Sequence, residues 1–137
     1  MSRYDVAIHE AGHAVIAAWL GLGVYDVSVF LDDEGDWQGR TVRQGATDIF
    51  DELPVVIAGV VAEVLVTTGG YFDEVLFLDA LNAQNGDCPR AIMLAEMCEA
   101  QYPRYASIAA LLASCGDGMA NILGERWTLV EAVAAEL

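Results

Sequence analysis

The sequence predicts one α+β domain, mainly α-helical, with a small β-hairpin near its start and a helical C-terminal half. Three observations carry this reading. Apolar residues recur at helical spacing through most of the chain, one alternating stretch with an acidic turn interrupts that rhythm, and Gly- or Pro-marked stops divide the rest. With 137 residues, 55% of them apolar, the chain suits a single folded unit over 1–137 and is too hydrophobic for disorder.

In chain order, residues 4–20 place Val6, Ala7, His9, Ala14, Ala17, Ala18 and Leu20 at helical intervals, and Gly21 supplies a stop. Residues 24–31 alternate Val27, Val29 and Leu31 with Asp26, Ser28 and Phe30. The acidic turn 32–36 then leads into 39–44, which predicts a two-stranded hairpin. Thr47 or Asp48 can cap a long apolar helix up to Thr68, closed by Gly69-Gly70, with Pro54 tolerated in the first turns or as a bend. Residues 71–86 mix aromatics, acids and Asn and predict a loop with one short helical turn over 76–81. Asp87 as capping acceptor and Pro89 as first helical residue open a helix to Gln101. Two more helices are expected over 104–114 and 119–137, parted by Gly116-Asp117-Gly118.

Charge and cysteine usage narrow the partners. The formal charge is −15, and the six cations are all arginine, at Arg3, Arg40, Arg43, Arg90, Arg104 and Arg126. Sequence neighbours therefore build no phosphate-tracking patch, and no nucleic-acid partner is expected. Cys88, Cys98 and Cys115 form neither an even framework nor a C-x-x-C pair, which suits a reduced, cytoplasmic setting. The opening MSRYDVAIHE is unlike a secretory leader. Residues 53–70 hold Pro54 and Glu63 and fall short of the ~20 apolar residues needed to span a bilayer, so no membrane partner is expected. Trp19, Trp37 and Trp127 read as core or interface residues.

The first helix contains His9-Glu10-Ala11-Gly12-His13, and these are the only two histidines in the chain. Four residues make one helical turn, so both imidazoles share a face, roughly 6 Å apart along the axis. Two nitrogens so placed can converge on one zinc at about 2.0–2.1 Å, giving a zincin-like HExxH helix. Glu10 flanks the first ligand, where its carboxylate can act as general base toward a water activated by the metal. A pattern fixed at three positions by uncommon residues arises by accident in well under about one chain in a hundred of this length. The bland reading makes the histidines partly buried helix residues and Glu10 a solvated acid. It leaves two imidazoles on an apolar face without partners, at ~1–3 kcal/mol each. A hydrolytic zinc needs a third protein ligand. Glu63, Asp73, Glu74, Asp79, Asp87 and Cys88 are the candidates, and spacing alone does not choose among them.

Four pieces of the chain resemble the peptidase domain of the FtsH-type ATP-dependent zinc metalloproteases. They are His9-Glu10-Ala11-Gly12-His13-Ala14; Val27-Ser28-Val29 with Gly39-Arg40-Thr41; Ile57-Ala58-Gly59-Val60-Val61-Ala62-Glu63; and Asn85-Gly86-Asp87 with the following Ala91, Leu94 and Ala95. The resemblance spans roughly residues 5 to 100 in the family's order. It implies that Asp87 is the third zinc ligand and that Glu63 is an acid behind the metal histidines. A helix start would favour an ionised Asp87, and a buried Glu63 would need a donor such as a ligand histidine's second N–H. The rival readings are Asp87 as a helix cap only, Glu63 facing solvent, and Cys88 as a ligand. The chain departs from the family in having no lysine, hence no Walker-type loop, and in a longer gap between Glu63 and Asp87, where residues 71–82 look inserted and bring Asp79 into play.

The function expected is a zinc-dependent metallopeptidase acting on polypeptides, with Zn2+ as cofactor and no ATPase or unfoldase of its own. A homo-oligomer or a separate unfoldase partner fits this expectation. The hairpin over 24–44 would offer an edge to an extended substrate, and its acidic turn reads as a solvated loop. Two other readings stay open: a weak or inactive metal-binding module of peptidase fold that works through protein partners, and hydrolysis of a small molecule at the same site.

Overall fold

In the computed structural model, which describes residues 1–84 and 86–137, the chain is a mainly α-helical α+β fold. Asn85 of the Asn85-Gly86-Asp87 motif lies outside the described residues. Helix α1 (Arg3–Trp19) begins at a reciprocal cap, where Asp5 N–H donates to Ser2 Oγ at 3.0 Å and Ser2 N–H donates to the Asp5 carboxylate at 3.2 Å. After it, Gly21 adopts φ +79 and turns the chain into β1 (Val24–Leu31).

Strands β1 and β2 (Trp37–Arg43) form an antiparallel pair in which Val27 faces Thr41 and Leu31 faces Trp37. Strand β2 starts two residues earlier than predicted, because Trp37 and Gln38 pair with Leu31 and Phe30. The alternation expected over residues 24–31 does not hold on β1, whereas burial does alternate along β2. Val27, Ser28 and Val29 are all half-buried, while Phe30 and Leu31 are both exposed. A two-stranded ribbon twists strongly, so its faces rotate away from the helix beneath it.

Helix α2 (Ile49–Thr68) runs between the predicted limits, from the Asp48 cap, which accepts from Phe50 N–H at 2.8 Å, to Gly69 at φ +75. Pro54 sits in its second turn. Residues Leu53 to Ala62 are buried without interruption, so α2 is the axis on which α1, α3, α4 and α5 pack. Its crossing with α1 is close. A Cβ on Gly12 would lie 2.6 Å from the Ala58 carbonyl oxygen, so only glycine lets the two backbones approach this far.

Beyond α2 the prediction needs three corrections. The segment read as a loop with one turn contains α3 (Glu74–Asn82), which Asp73 caps by accepting from Leu76 N–H at 3.0 Å and which Phe77 and Leu81 anchor in the core. Helix α4 (Asp87–Gln101) has Gly86 at its cap. Asp87 is its first residue and caps nothing, and Pro89 is its third. Helix α5 (Ile108–Glu125) passes straight through Gly116-Asp117-Gly118, where a break was expected. A Cβ on Gly116 would stand 2.9 Å from the Phe72 ring and 3.1 Å from that of Phe77. That glycine is a packing notch, and the break falls at Arg126, before α6 (Trp127–Ala135). Trp19, expected in the core or an interface, is exposed beneath the Arg126 guanidinium, whereas Trp127 packs against the core. All three cysteines are free, and burial pushes the Cys115 thiol up to about 12. Among the described residues no helix is long and apolar enough to cross a membrane.

One buried acid ties the hairpin to two helices. Glu52 of α2 accepts from both arms of Arg43 on β2, at 2.8 and 2.7 Å, from Arg90 on α4 at 2.6 Å, and from Ala46 N–H at 3.1 Å. The Arg43 hydrogen bonds, against the opposing effect of burial, bring its pKa down from 4.5 to about 2, with help from the Arg43 and Arg90 charges. A folded-state pKa below the unfolded one gives stability that is complete above about pH 4.5 and lost as the pH falls toward 2. Glu52→Gln is therefore expected to lower stability by about 3 kcal/mol at pH 7. In urea melts across pH 7 to 2.5, the gap between variant and parent should shrink with acidification.

Candidate metal centre

Helix α1 presents His9 and His13 on the face that packs against α2, and both are buried. Each ring is held from behind. His13 Nδ1 lies 2.6 Å from the Val55 carbonyl oxygen, which can only accept, so Nδ1 carries the proton and donates it. His9 Nδ1 lies 2.8 Å from Glu63 Oε2 and donates likewise. Both Nε2 atoms then turn toward the same point, 3.0 Å from each other. Asp87, the first residue of α4, completes the group: its Oδ2 is 3.0 Å from His9 Nε2 and 3.3 Å from His13 Nε2.

Three lone-pair atoms at 3.0–3.3 Å from one another require a positive charge among them. Ligand atoms on a tetrahedral zinc at 2.0–2.1 Å stand roughly 3.3 Å apart, so the triangle has the dimensions of one face of such a site. Electrostatics agree. Burial opposes a charged His9, but its hydrogen bonds to Asp87 and Glu63, with the charges of Glu63 and Glu10, outweigh burial and push it up to about 10. Burial likewise opposes an ionised Asp87, yet His13 and His9 hold it well below the usual carboxylate range. A proton on His9 satisfies this set, and a divalent cation competes for the same lone pair.

Glu10 is buried beside the triangle, and His9, Glu10 and His13 together can hold a metal ion, each offering one ligand atom within 4.8 Å of the others. Its Oε1 accepts from Thr41 Oγ1 at 2.8 Å, which fixes the orientation of the carboxylate. Strand β2 makes room for it: a Cβ on Gly39 would stand 2.5 Å from Glu10 Cγ and 2.8 Å from Oε2. The group opens into a cavity of about 430 Å3 lined by His9, Glu10, His13, Asp87 and the consecutive residues Trp37 to Thr41. Five consecutive strand residues along one wall mean that the edge of β2, not one face, borders the cavity.

The remaining candidates lie elsewhere. Asp73 caps α3, Glu74 and Asp79 are exposed on it, and the buried Cys88 thiol faces Asn82. Glu63 contacts the ring nitrogen opposite the triangle and supports His9 from there. Sequence reasoning assigned no role to Gly59, Thr41, Glu52 or the Val55 carbonyl. Gly59 alone carried a signal, as a glycine inside an apolar helix, a position that marks close approach. A Cβ there would lie 2.6 Å from both His9 Nε2 and His13 Nε2.

No protein-family model matches the chain, and no curated protein matches it significantly. Gly59→Ala is expected to weaken any divalent-metal binding at this site at least ~10- to 100-fold in competition titrations, the scale on which support of metal ligands acts. Helical content should persist in circular dichroism, because alanine favours the helix that glycine interrupts.

Proposed function

We propose that the chain is a zinc-dependent metallopeptidase whose site corresponds to the peptidase domain of the FtsH-type zinc proteases. The supporting observation is the triangle of His9 Nε2, His13 Nε2 and Asp87 Oδ2, with edges of 3.0–3.3 Å, beside a buried Glu10 in an open cavity. Those three residues would hold the ion, and zinc bound there supplies a Lewis acid that polarises a peptide carbonyl and acidifies water.

The chain's own residues supply the rest. Glu10, oriented through Oε1 by Thr41, has Oε2 available to take a proton from the attacking water and to return it to the leaving amine. Glu63 and the Val55 carbonyl keep both imidazoles in the tautomer that presents Nε2. The edge of β2 offers backbone groups to an extended polypeptide, an alignment tolerant of sequence. Three unpaired cysteines suit a reducing compartment such as the cytoplasm.

Glu10→Gln tests this directly. Turnover of unfolded protein and of quenched fluorescent peptide libraries should fall about 10²- to 10⁴-fold, the share a positioned base contributes, while zinc content stays at one per chain. Unaltered turnover would remove Glu10 as the base. Zinc retention without cleavage by the parent protein would instead favour a binding module of peptidase fold.

A further inference from the structure

We propose that Arg90, held in place by the Glu52–Arg43 pair, forms a carboxylate-binding subsite in the metal-centre cavity, which selects peptides carrying an acidic side chain or a free C-terminal carboxylate near the scissile bond. The inference rests on the peptidase reading and adds its substrate class. Only six cations serve a chain of formal charge −15, yet Arg40, Arg43 and Arg90 all line this one cavity. The cavity thus gathers half of the chain's cations, on a wall beside Glu10 and Asp87.

Among the described residues the wall has a free donor. Glu52 carries one negative charge and receives two guanidinium groups, leaving one positive charge over. Arg43 spends both arms on Glu52 and is largely buried. Arg90 makes a single hydrogen bond to Glu52, at 2.6 Å, and its side chain is 56% exposed. A guanidinium has five N–H donors in a planar fork, so Arg90 retains a face suited to a second carboxylate.

Its position suits substrate selection. Arg90 follows Asp87 by three residues on α4, which puts both on one helix face about one turn apart. Arg43 follows Thr41 by two residues on β2 and shares its inward face. The charge therefore sits between the strand edge that would align a peptide and the helix that presents the third ligand. Glu52 holds both guanidinium groups from behind, so little reorganisation accompanies binding.

The test uses one peptide sequence in three forms: a central Glu with an amidated end, a central Gln with an amidated end, and the Gln form with a free C-terminal carboxylate. For the zinc-loaded chain, kcat/KM should favour at least one charged form about tenfold over the neutral one, the scale of one charge-assisted hydrogen bond partly open to solvent. Which charged form is favoured identifies the carboxylate's source. In Arg90→Gln the ratio should fall toward one, and in Arg90→Lys it should partly return. Arg43 still partners Glu52 in both variants, and matched thermal melts will report a folded protein. Equal rates for all three peptides, or a ratio unchanged in Arg90→Gln, would overturn the subsite. A parallel binding arm uses zinc-loaded Glu10→Gln and its Arg90→Gln double variant, read by fluorescence of Trp37 in the cavity wall. Tenfold tighter binding of a charged form, dependent on Arg90 and without cleavage by the parent chain, would sustain the subsite and sink the peptidase reading. Cleavage without charge preference would do the reverse.

Discussion

Three atoms with inward-pointing lone pairs, held 3.0–3.3 Å apart in a largely buried corner, repel one another unless a positive charge lies among them. Much of the surrounding fold enforces that proximity. Helix α1 provides two of the atoms one turn apart, α4 provides the third at its first residue, and α2 lies beneath both. The rings cannot swing away, because Glu63 and the Val55 carbonyl hold their far nitrogens. Desolvating such a group costs free energy, and folds keep such arrangements where an ion repays it.

Close backbone approach is the second requirement, and three glycines meet it. Gly12 lets α1 rest on the Ala58 carbonyl, Gly59 leaves the space that both Nε2 atoms fill, and Gly39 admits the Glu10 side chain under β2. None of these has a positive φ, so each is needed for volume rather than for backbone conformation. The hairpin adds only two strands to the fold, yet it contributes a hydrogen bond from Thr41 to Glu10, an open edge to the cavity and Arg43 to the Glu52 cluster.

The features legible in the sequence were those set by local chemistry. The limits of α2 followed from Asp48 and Gly69, and the pairing of His9 with His13 followed from helical periodicity. Where distant contacts decide, reading along the chain failed. Gly116 and Gly118 resemble a helix break, but the rings of Phe72 and Phe77, some forty residues earlier, turn Gly116 into a packing contact. Asp87 resembles a cap when read locally, and only the family resemblance pointed to it as a ligand; its carboxylate turns to histidines 74 and 78 residues away, a separation that no local pattern encodes. Residues 71–86 hid α3 because its buried face consists of only Phe77 and Leu81. Spacing left six candidates for the third ligand position, and packing brings only Asp87 of them to the Nε2 atoms.

The proposed centre holds one zinc ion between the first helix and the start of the fourth. X-ray absorption at the zinc edge, on the chain reconstituted with one equivalent of metal, tests it most directly. The expected first shell is nitrogen and oxygen only, near 2.0–2.1 Å, with the scattering signature of two imidazoles that disappears in a His9→Ala, His13→Ala variant. A sulfur neighbour near 2.3 Å, or a shell unchanged in that variant, would place the ion elsewhere and rule out this centre.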